Sequence, residues 1–414
     1  MTSFASTASR ASDGLSTPPA GDLLRIVPLG GLGEIGMNCM ALEQEDGILV
    51  VDCGITFPHD DTGVDVYHPD FSYLTERASR VCGIVLTHGH EDHVGALPYL
   101  LDKLKVPVFG PAHALAIGRH RLSDRGFDPG AFDLRTVRPR TTYRLGPFEV
   151  EPVRVTHSIS EAAGLAIRTR AGIVFHTGDF RFDPDPPDGE LTDQERLAEL
   201  GRSGVRLMMS DSTCVDVRGP HESEASVGRA LEKLITGASH RVVIAMFASN
   251  MQRLKMLGDL AVRARRKVAL FGRSIGLSVQ LGHELGSLSW PSDLVVAQND
   301  AARVAPERLL VVAGGTQAEP GSALMRLSGA TYRPRFERLE KLYDALSSDS
   351  FSGRTLLGCR IGKAAKGNAE FGPATLEIRQ EEPRKGRARG LKSVIVGKGK
   401  LPKKGRIMAV SYNS

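Results

Sequence analysis

Cysteine is scarce and unpaired in this chain. The five cysteines, Cys39, Cys53, Cys82, Cys214 and Cys359, are odd in number and show no Cys-x-x-Cys spacing. This argues against a disulfide framework and for a reducing compartment such as the cytoplasm. Long apolar runs are missing as well. Stretches such as Val242 to Ala248 fall far short of the length that crosses a bilayer, so no membrane partner is expected. The first twenty residues are rich in Ser, Ala, Thr and Pro and lack the apolar centre of a secretory signal. They read as a disordered tail, with an organelle transit peptide as the alternative. Histidine is absent after His283, which confines imidazole chemistry to the first two thirds of the chain.

What is present is ordinary for a globular protein: 41% hydrophobic and 24% charged residues over 414 positions, enough for two or three domains with cores. The net charge of +5 is unevenly distributed. Residues 331–414 carry 19 Lys and Arg against 8 Asp and Glu, whereas residues 1–330 carry 34 against 40. A basic tail of this kind is either a polyanion-binding segment or a solvated extension.

From Leu23 to about Thr316 the sequence repeats one grammar, a short apolar strand, a turn and often an amphipathic helix, which argues for an α/β fold. Strands are expected near Leu24–Pro28, Ile48–Asp52, Gly83–Thr87, Phe148–Thr156, Gly172–His176, Leu207–Ser210, Val242–Phe247, Lys267–Phe271 and Leu309–Ala313. Helices are expected over Asp92–Leu104, Ser226–Thr236 and Met251–Arg265. The Gly31-x-Gly33-x-x-Gly36 spacing superficially matches a dinucleotide fingerprint, but no convincing helix follows it, so a turn is expected instead.

The chemistry concentrates in Thr87-His88-Gly89-His90-Glu91-Asp92-His93, directly after an apolar strand. Imidazole and carboxylate hold zinc or manganese while leaving positions open for water and substrate. Gly89 permits a sharp turn, so that His88 and His90 face one ion while Asp92 and His93 face its neighbour. His157 and Asp179 follow later strands at positions suited to completing the set, with Asp179 as the carboxylate between two cations. His176 falls within a strand and is the weaker candidate.

These residues resemble the metallo-β-lactamase superfamily, and within it the β-CASP ribonucleases of the ribonuclease J family. The resemblance also rests on Pro28-Leu29-Gly30-Gly31-Leu32-Gly33-Glu34-Ile35-Gly36-Met37-Asn38, Val51-Asp52-Cys53-Gly54, Ser210-Asp211-Ser212-Thr213, Phe247-Ala248-Ser249-Asn250, Gly272-Arg273-Ser274 and Gly315-Thr316-Gln317-Ala318-Glu319-Pro320. It spans about residues 24–329. It implies a four-layer αββα core with an inserted β-CASP domain, divided as a tail (1–22), a metallo-β-lactamase domain (23–208), a partial β-CASP domain (209–330) and a basic extension (331–414). It further implies two divalent ions, zinc first and manganese as the alternative. His88, His90, His157 and Asp179 would hold one, and Asp92, His93 and Asp179 the other. Asp211 would open the β-CASP signature, and Ser249, Asn250, Arg273 and Ser274 would either meet RNA or simply make turns after strands.

The implied activity is hydrolysis of single-stranded RNA, from the 5′ end and also internally, by a chain that self-associates. Two cations about 3.5–4 Å apart lower the pKa of a water toward about 7, and Asp92 or Asp179 would orient it or take its proton. The family pattern stops near Gly329, before its Ser-Gly-His segment and last histidine ligand, and Ala318 stands where the family carries glycine. The closing part of the core sheet and a full second metal site are therefore not accounted for. Two other readings stand beside the nuclease: a catalytically weak RNA-binding or assembly subunit, and a hydrolase of small esters.

Overall fold

The computed structural model describes residues 18–58, 63–213, 215, 219, 222–316 and 322–328, together with two short strands at 394–396 and 411–412. The Gln317-to-Pro320 motif and most of residues 331–414 lie outside the described residues, as does the expected tail up to residue 17.

The first sheet begins with an antiparallel meander, β1 (Leu24–Gly30), β2 (Cys39–Gln44) and β3 (Gly47–Val51). It continues in parallel through β4 (Val81–Val85), β5 (Val108–Gly110) and β6 (Leu134–Thr136). The second sheet runs antiparallel through β7 (Tyr143–Leu145), β8 (Phe148–Arg154), β9 (Ala163–Thr169) and β10 (Gly172–His176), and then adds β11 (Val205–Asp211) in parallel.

Side-chain alternation builds the layers. Along β3, Leu49 and Val51 point into one buried cluster with Leu24, Ile26 and Val85, where they meet Phe148, Val150, Leu165, Ile167 and Val174 of the second sheet. Ile48 and Val50 point the other way, with Ile84, onto helix residues Leu97, Leu100, Leu101, Leu115 and Leu122. On the far side of the second sheet, Val153, Ala166 and Phe175 pack against Leu200 of the helix Gln194–Ser203. Period-two strands that are apolar on both faces require a layer on each side, and the result is helix, sheet, sheet, helix.

The third sheet is wholly parallel, ordered β12 (Val242–Ala245), β15 (Leu309–Ala313), β13 (Lys267–Phe271) and β14 (Val295–Val296). Helices Glu224–Gly237, Met251–Arg263 and Arg273–Glu284 contribute to the cluster on one face, and Ala323, Leu324 and Leu327 to that on the other. The first two are capped by Ser223 and Asn250, which accept hydrogen bonds from the amides of Ser226 and Arg253. Two strands from the C-terminal region pair with sheet edges: β16 (Val394–Val396) lies antiparallel to β1, and β17 (Ser411–Tyr412) parallel to β11. Each of the first two sheets is thereby extended by one short strand beyond the part that the sequence accounted for.

One expected helix is broken. Asp92–Leu104 resolves into Glu91–Val94 and Leu97–Leu101. Gly95 sits where a Cβ would meet Ile55 Cγ1 at 2.7 Å, and Pro98, which lacks an N–H, starts the second helix in its first turn. The split leaves Glu91–Val94 as a separate pedestal for Asp92 and His93.

Gly54 sets how closely that pedestal approaches the end of β3, because a Cβ there would lie 1.6 Å from the carbonyl oxygen of Asp92. Gly201, in a helix remote from this region, has nothing within 4 Å of its would-be Cβ. Gly54→Ala is therefore expected to cost roughly 3 kcal/mol or more, and Gly201→Ala to add about 0.5–1 kcal/mol. Thermal denaturation of the two variants against the parent checks both signs.

Candidate metal centre

The strand ends of the two facing sheets bring the site together. β3 runs out at Val51, and Asp52 turns the chain with a left-handed φ of 59°. β4 runs out at Val85, so Thr87 and His88 emerge beside it. Asp52 accepts the Thr87 amide at 2.7 Å and the Thr87 hydroxyl at 2.9 Å. Its Oδ2 also lies 2.8 Å from His93 Nδ1. That contact fixes the ring so that Nε2 faces the site, as a carboxylate commonly does for a ligating histidine.

The backbone of the pedestal is tied down carbonyl by carbonyl. Glu91 O accepts from Ile55 N at 3.1 Å, Asp92 O from Asn38 N at 2.9 Å, and His93 O from Cys53 N at 2.7 Å. The Asp92 and His93 carbonyls, which would otherwise be orphaned at the end of a single turn, are thereby satisfied.

From the second sheet, His157 follows β8 and Asp179 follows β10. The two loops are bridged by Thr156 and Arg181, where Arg181 N donates to Thr156 O at 2.8 Å. Thr87 O accepts from Ala163 N at 3.1 Å and so ties the two sheets together next to the site.

Two donor sets result. His88, His90, His157 and Asp179 offer ligand atoms that all lie within 4.8 Å of one another, and so do Asp92, His93 and Asp179. In the first set, His90 Nδ1 is 3.1 Å from both His88 Nε2 and His157 Nε2. Asp179 Oδ2 is 3.9 Å from each of those two Nε2 atoms. In the second set, His93 Nε2 is 3.4 Å from Asp179 Oδ1 and 3.5 Å from Asp92 Oδ2. Asp179 therefore presents one oxygen to each set. His176 stays apart from both, its Nδ1 accepting from Gly178 N at 3.0 Å.

Electrostatics support cation binding. Burial, reinforced by neighbouring imidazoles, pushes His88 well below its ordinary pKa. Burial likewise lowers His90 to about 3 and His157 to about 4. These three rings are neutral at physiological pH, which is the ligating form. His93 behaves differently: burial opposes its charge, but Asp179, Asp92 and Asp52 together outweigh it and raise its pKa. Burial would likewise raise Asp179, yet His93 and the other imidazoles hold it below the usual carboxylate range. Most telling, Asp179 Oδ2 is buried without a hydrogen-bond partner. An orphaned carboxylate oxygen facing three neutral imidazoles costs several kcal/mol unless something satisfies it, and a divalent cation fits that donor set.

The other sequence-derived residues lie outside the two donor sets. Asp211, at the end of β11, accepts from the amide and hydroxyl of Thr213 at 2.7 and 2.6 Å. Burial and the nearby Asp179 raise its pKa. Asn250 is occupied in capping the helix Met251–Arg263, and Ser249 is half-buried beside it. Arg273 and Ser274, both exposed, open the helix Arg273–Glu284 and line a cleft of about 250 Å³ with Arg326 and Ser322. Sequence reasoning missed the roles of Asp52 and Asn38, although both lie within motifs it quoted. It also missed a buried ion-pair cluster in which Glu224 takes Arg253 at 2.8 Å and Arg181 at 3.1 Å, while Arg181 also meets Asp183 at 3.0 Å.

Comparison with known proteins agrees with this geometry. Residues 32–232 match the metallo-β-lactamase superfamily, and residues 239–336 match the ribonuclease J β-CASP domain. Ribonuclease J of Synechocystis is 41% identical over 312 residues, which cover 75% of this chain and 49% of that protein. The Corynebacterium glutamicum protein is 40% identical over 313 residues, covering 75% and 43%. The Mycobacterium tuberculosis protein is 40% identical over 323 residues, covering 76% and 57%. The chain spans about half the length of these relatives. A solved Enterococcus faecalis protein of unknown function shares the fold, with a TM-score of 0.50 at 16% identity over 70% of this chain and 77% of that one. Among the described residues no helix is long and apolar enough to cross a membrane. Residues 32–232 thus carry a metallo-β-lactamase domain, and residues 239–336 a β-CASP domain of the ribonuclease J type.

Proposed function

We propose that this chain is a metal-dependent ribonuclease that hydrolyses phosphodiesters of single-stranded RNA, releasing nucleotides from the 5′ end and also cutting internally. The observation that carries the reading is the buried, unpartnered Asp179 Oδ2 facing His88, His90 and His157, in a chain whose relatives are named ribonuclease J. His88, His90, His157 and Asp179 would hold one ion, and Asp92, His93 and Asp179 a second. The mixed nitrogen and oxygen donors suit zinc, with manganese second. When bound, such ions lower the pKa of a nucleophilic water and relieve charge on the phosphoryl oxygens.

The chain's own residues supply the remainder. Asp179 turns one oxygen to each donor set, which leaves Asp92, whose side chain is 26% exposed, to take the proton of the attacking water at its carboxylate. Asp52 keeps the His93 ring aimed. The exposed Arg273 offers a planar fork to a backbone phosphate, with the adjacent Ser274 and Ser249, which follows the cleft-lining Ala248, as further polar contacts. Asp211 shapes the turn that leads into the β-CASP stretch. A cytoplasmic location and association with a second copy complete the proposal.

A time course on 5′-labelled, 5′-monophosphorylated RNA with added Zn²⁺ or Mn²⁺ tests the reading. Early release of labelled mononucleotide is expected from the parent, with activity reduced at least ~1,000-fold in His90→Ala and Asp92→Ala, both folded by circular dichroism. No cleavage by a folded, metal-supplemented parent would instead favour a non-catalytic RNA-binding or assembly subunit. Asp52→Asn, which tolerates the left-handed φ, is expected to weaken metal binding about 10- to 100-fold. Its hydrolysis should recover at high metal concentration, and a metal titration of activity reads this directly.

A further inference from the structure

The second donor set holds only three ligating groups among the described residues, Asp92, His93 and Asp179, whereas the first holds four. Asn38 fills the gap in space. Its side chain is 2% exposed. Its amide nitrogen lies 3.0 Å from His93 Nε2 and 3.2 Å from Asp92 Oδ2, the same two atoms that define the second set. Its other terminus, Oδ1, is buried with no hydrogen-bond partner. That atom is accommodated because Gly31 lacks a side chain, a Cβ there lying 2.5 Å from it. The backbone around Asn38 is fixed on both sides: Asn38 N donates to Asp92 O, and Asn38 O accepts from Gly54 N, each at 2.9 Å.

A carboxamide has an acceptor end and a donor end of nearly equal size, and a half-turn about the last bond exchanges them. As placed, the donor end faces His93 Nε2 and a carboxylate oxygen, and the acceptor is left orphaned. With a cation between Asp92, His93 and Asp179, the donor end would face positive charge, and the half-turn would bring the carbonyl oxygen to the ion. Separations of 3.0 to 3.2 Å between Asn38's terminus and two neighbouring donors suit atoms sharing one coordination shell, given ligand bonds of about 2.0–2.2 Å.

We propose that Asn38 supplies a neutral carbonyl-oxygen ligand to the second metal ion, completing a site otherwise made of Asp92, His93 and Asp179. This rests on the two-ion reading above. It gives the segment Gly31–Asn38 a chemical role in addition to its turn.

Chelator competition with Zn²⁺, with metal content measured after dialysis, tests the proposal on the full chain. The parent is expected to hold two ions. Asn38→Ala should keep the first ion at parent affinity and lose at least ~10-fold at the second. Asn38→Asp has the same shape and an anionic oxygen, so it should hold the second ion at least as tightly as the parent. His88→Ala serves as the control that weakens the first ion. Two ions held by Asn38→Ala with unchanged affinity would overturn the proposal. So would a second-site loss in folded Asn38→Asp equal to that in Asn38→Ala, or a parent that binds a single ion. A parent that binds no ion would overturn the metal-centre reading itself, and in that case His88→Ala would be indistinguishable from it.

Discussion

The Asp52 carboxylate is the contact on which the site depends. It is nearly inaccessible to solvent, sits at the end of β3, and gathers three groups from the neighbouring β4 loop: the Thr87 amide, the Thr87 hydroxyl and the His93 ring. A buried carboxylate is tolerable only when its lone pairs are occupied, and here they are occupied by the elements that must be held. The same network makes the ligand loop and the strand end one body. If it is removed, Thr87 no longer positions His88, whose Nδ1 it meets at 3.0 Å, and His93 loses the partner that sets its ring.

Burial is the second constraint. The site lies where two sheets meet, so His88, His90 and His157 lose water and stay neutral, while His93, pressed by three carboxylates, is pushed the other way and helps hold Asp179 ionised. His93 answers one Asp179 oxygen, but the three imidazoles that face the other cannot take protons without the same desolvation cost. This conflict is local, and in a chain whose other buried charges are mostly paired it marks the place where a ligand belongs.

Much of this was legible in the sequence, for identifiable reasons. Gly172–His176, Lys267–Phe271 and Leu309–Ala313 are short apolar runs bounded by polar or turn residues, and they fold as strands at those limits. The ligand residues were readable because a dense His and Asp run after a strand has few other uses. The strands β2 and β9 were not readable: Cys39–Gln44 ends in polar residues, and Ala163–Thr169 mixes small and charged ones, so neither alternates cleanly. The helix Arg273–Glu284 was hidden by Gly276 and Gly282, and its start looked like a turn. The contacts that Asp52 and Asn38 make in the site escaped because they come from packing between segments about 35 to 55 residues apart, which no local pattern records.

The cluster of Arg181, Asp183, Glu224 and Arg253 joins the loop after Asp179 to helices of the β-CASP stretch. Separating buried partners of this kind typically costs ~3–5 kcal/mol when one charge is left uncompensated. Any movement of these helices against the two-sheet core must therefore break those pairs, together with the apolar contact of Leu281 with the helix layer of the first sheet. Arg181 is also stitched through its backbone to Thr156, the residue before His157. A displacement of those helices would thus be felt first at the two loops that carry His157 and Asp179.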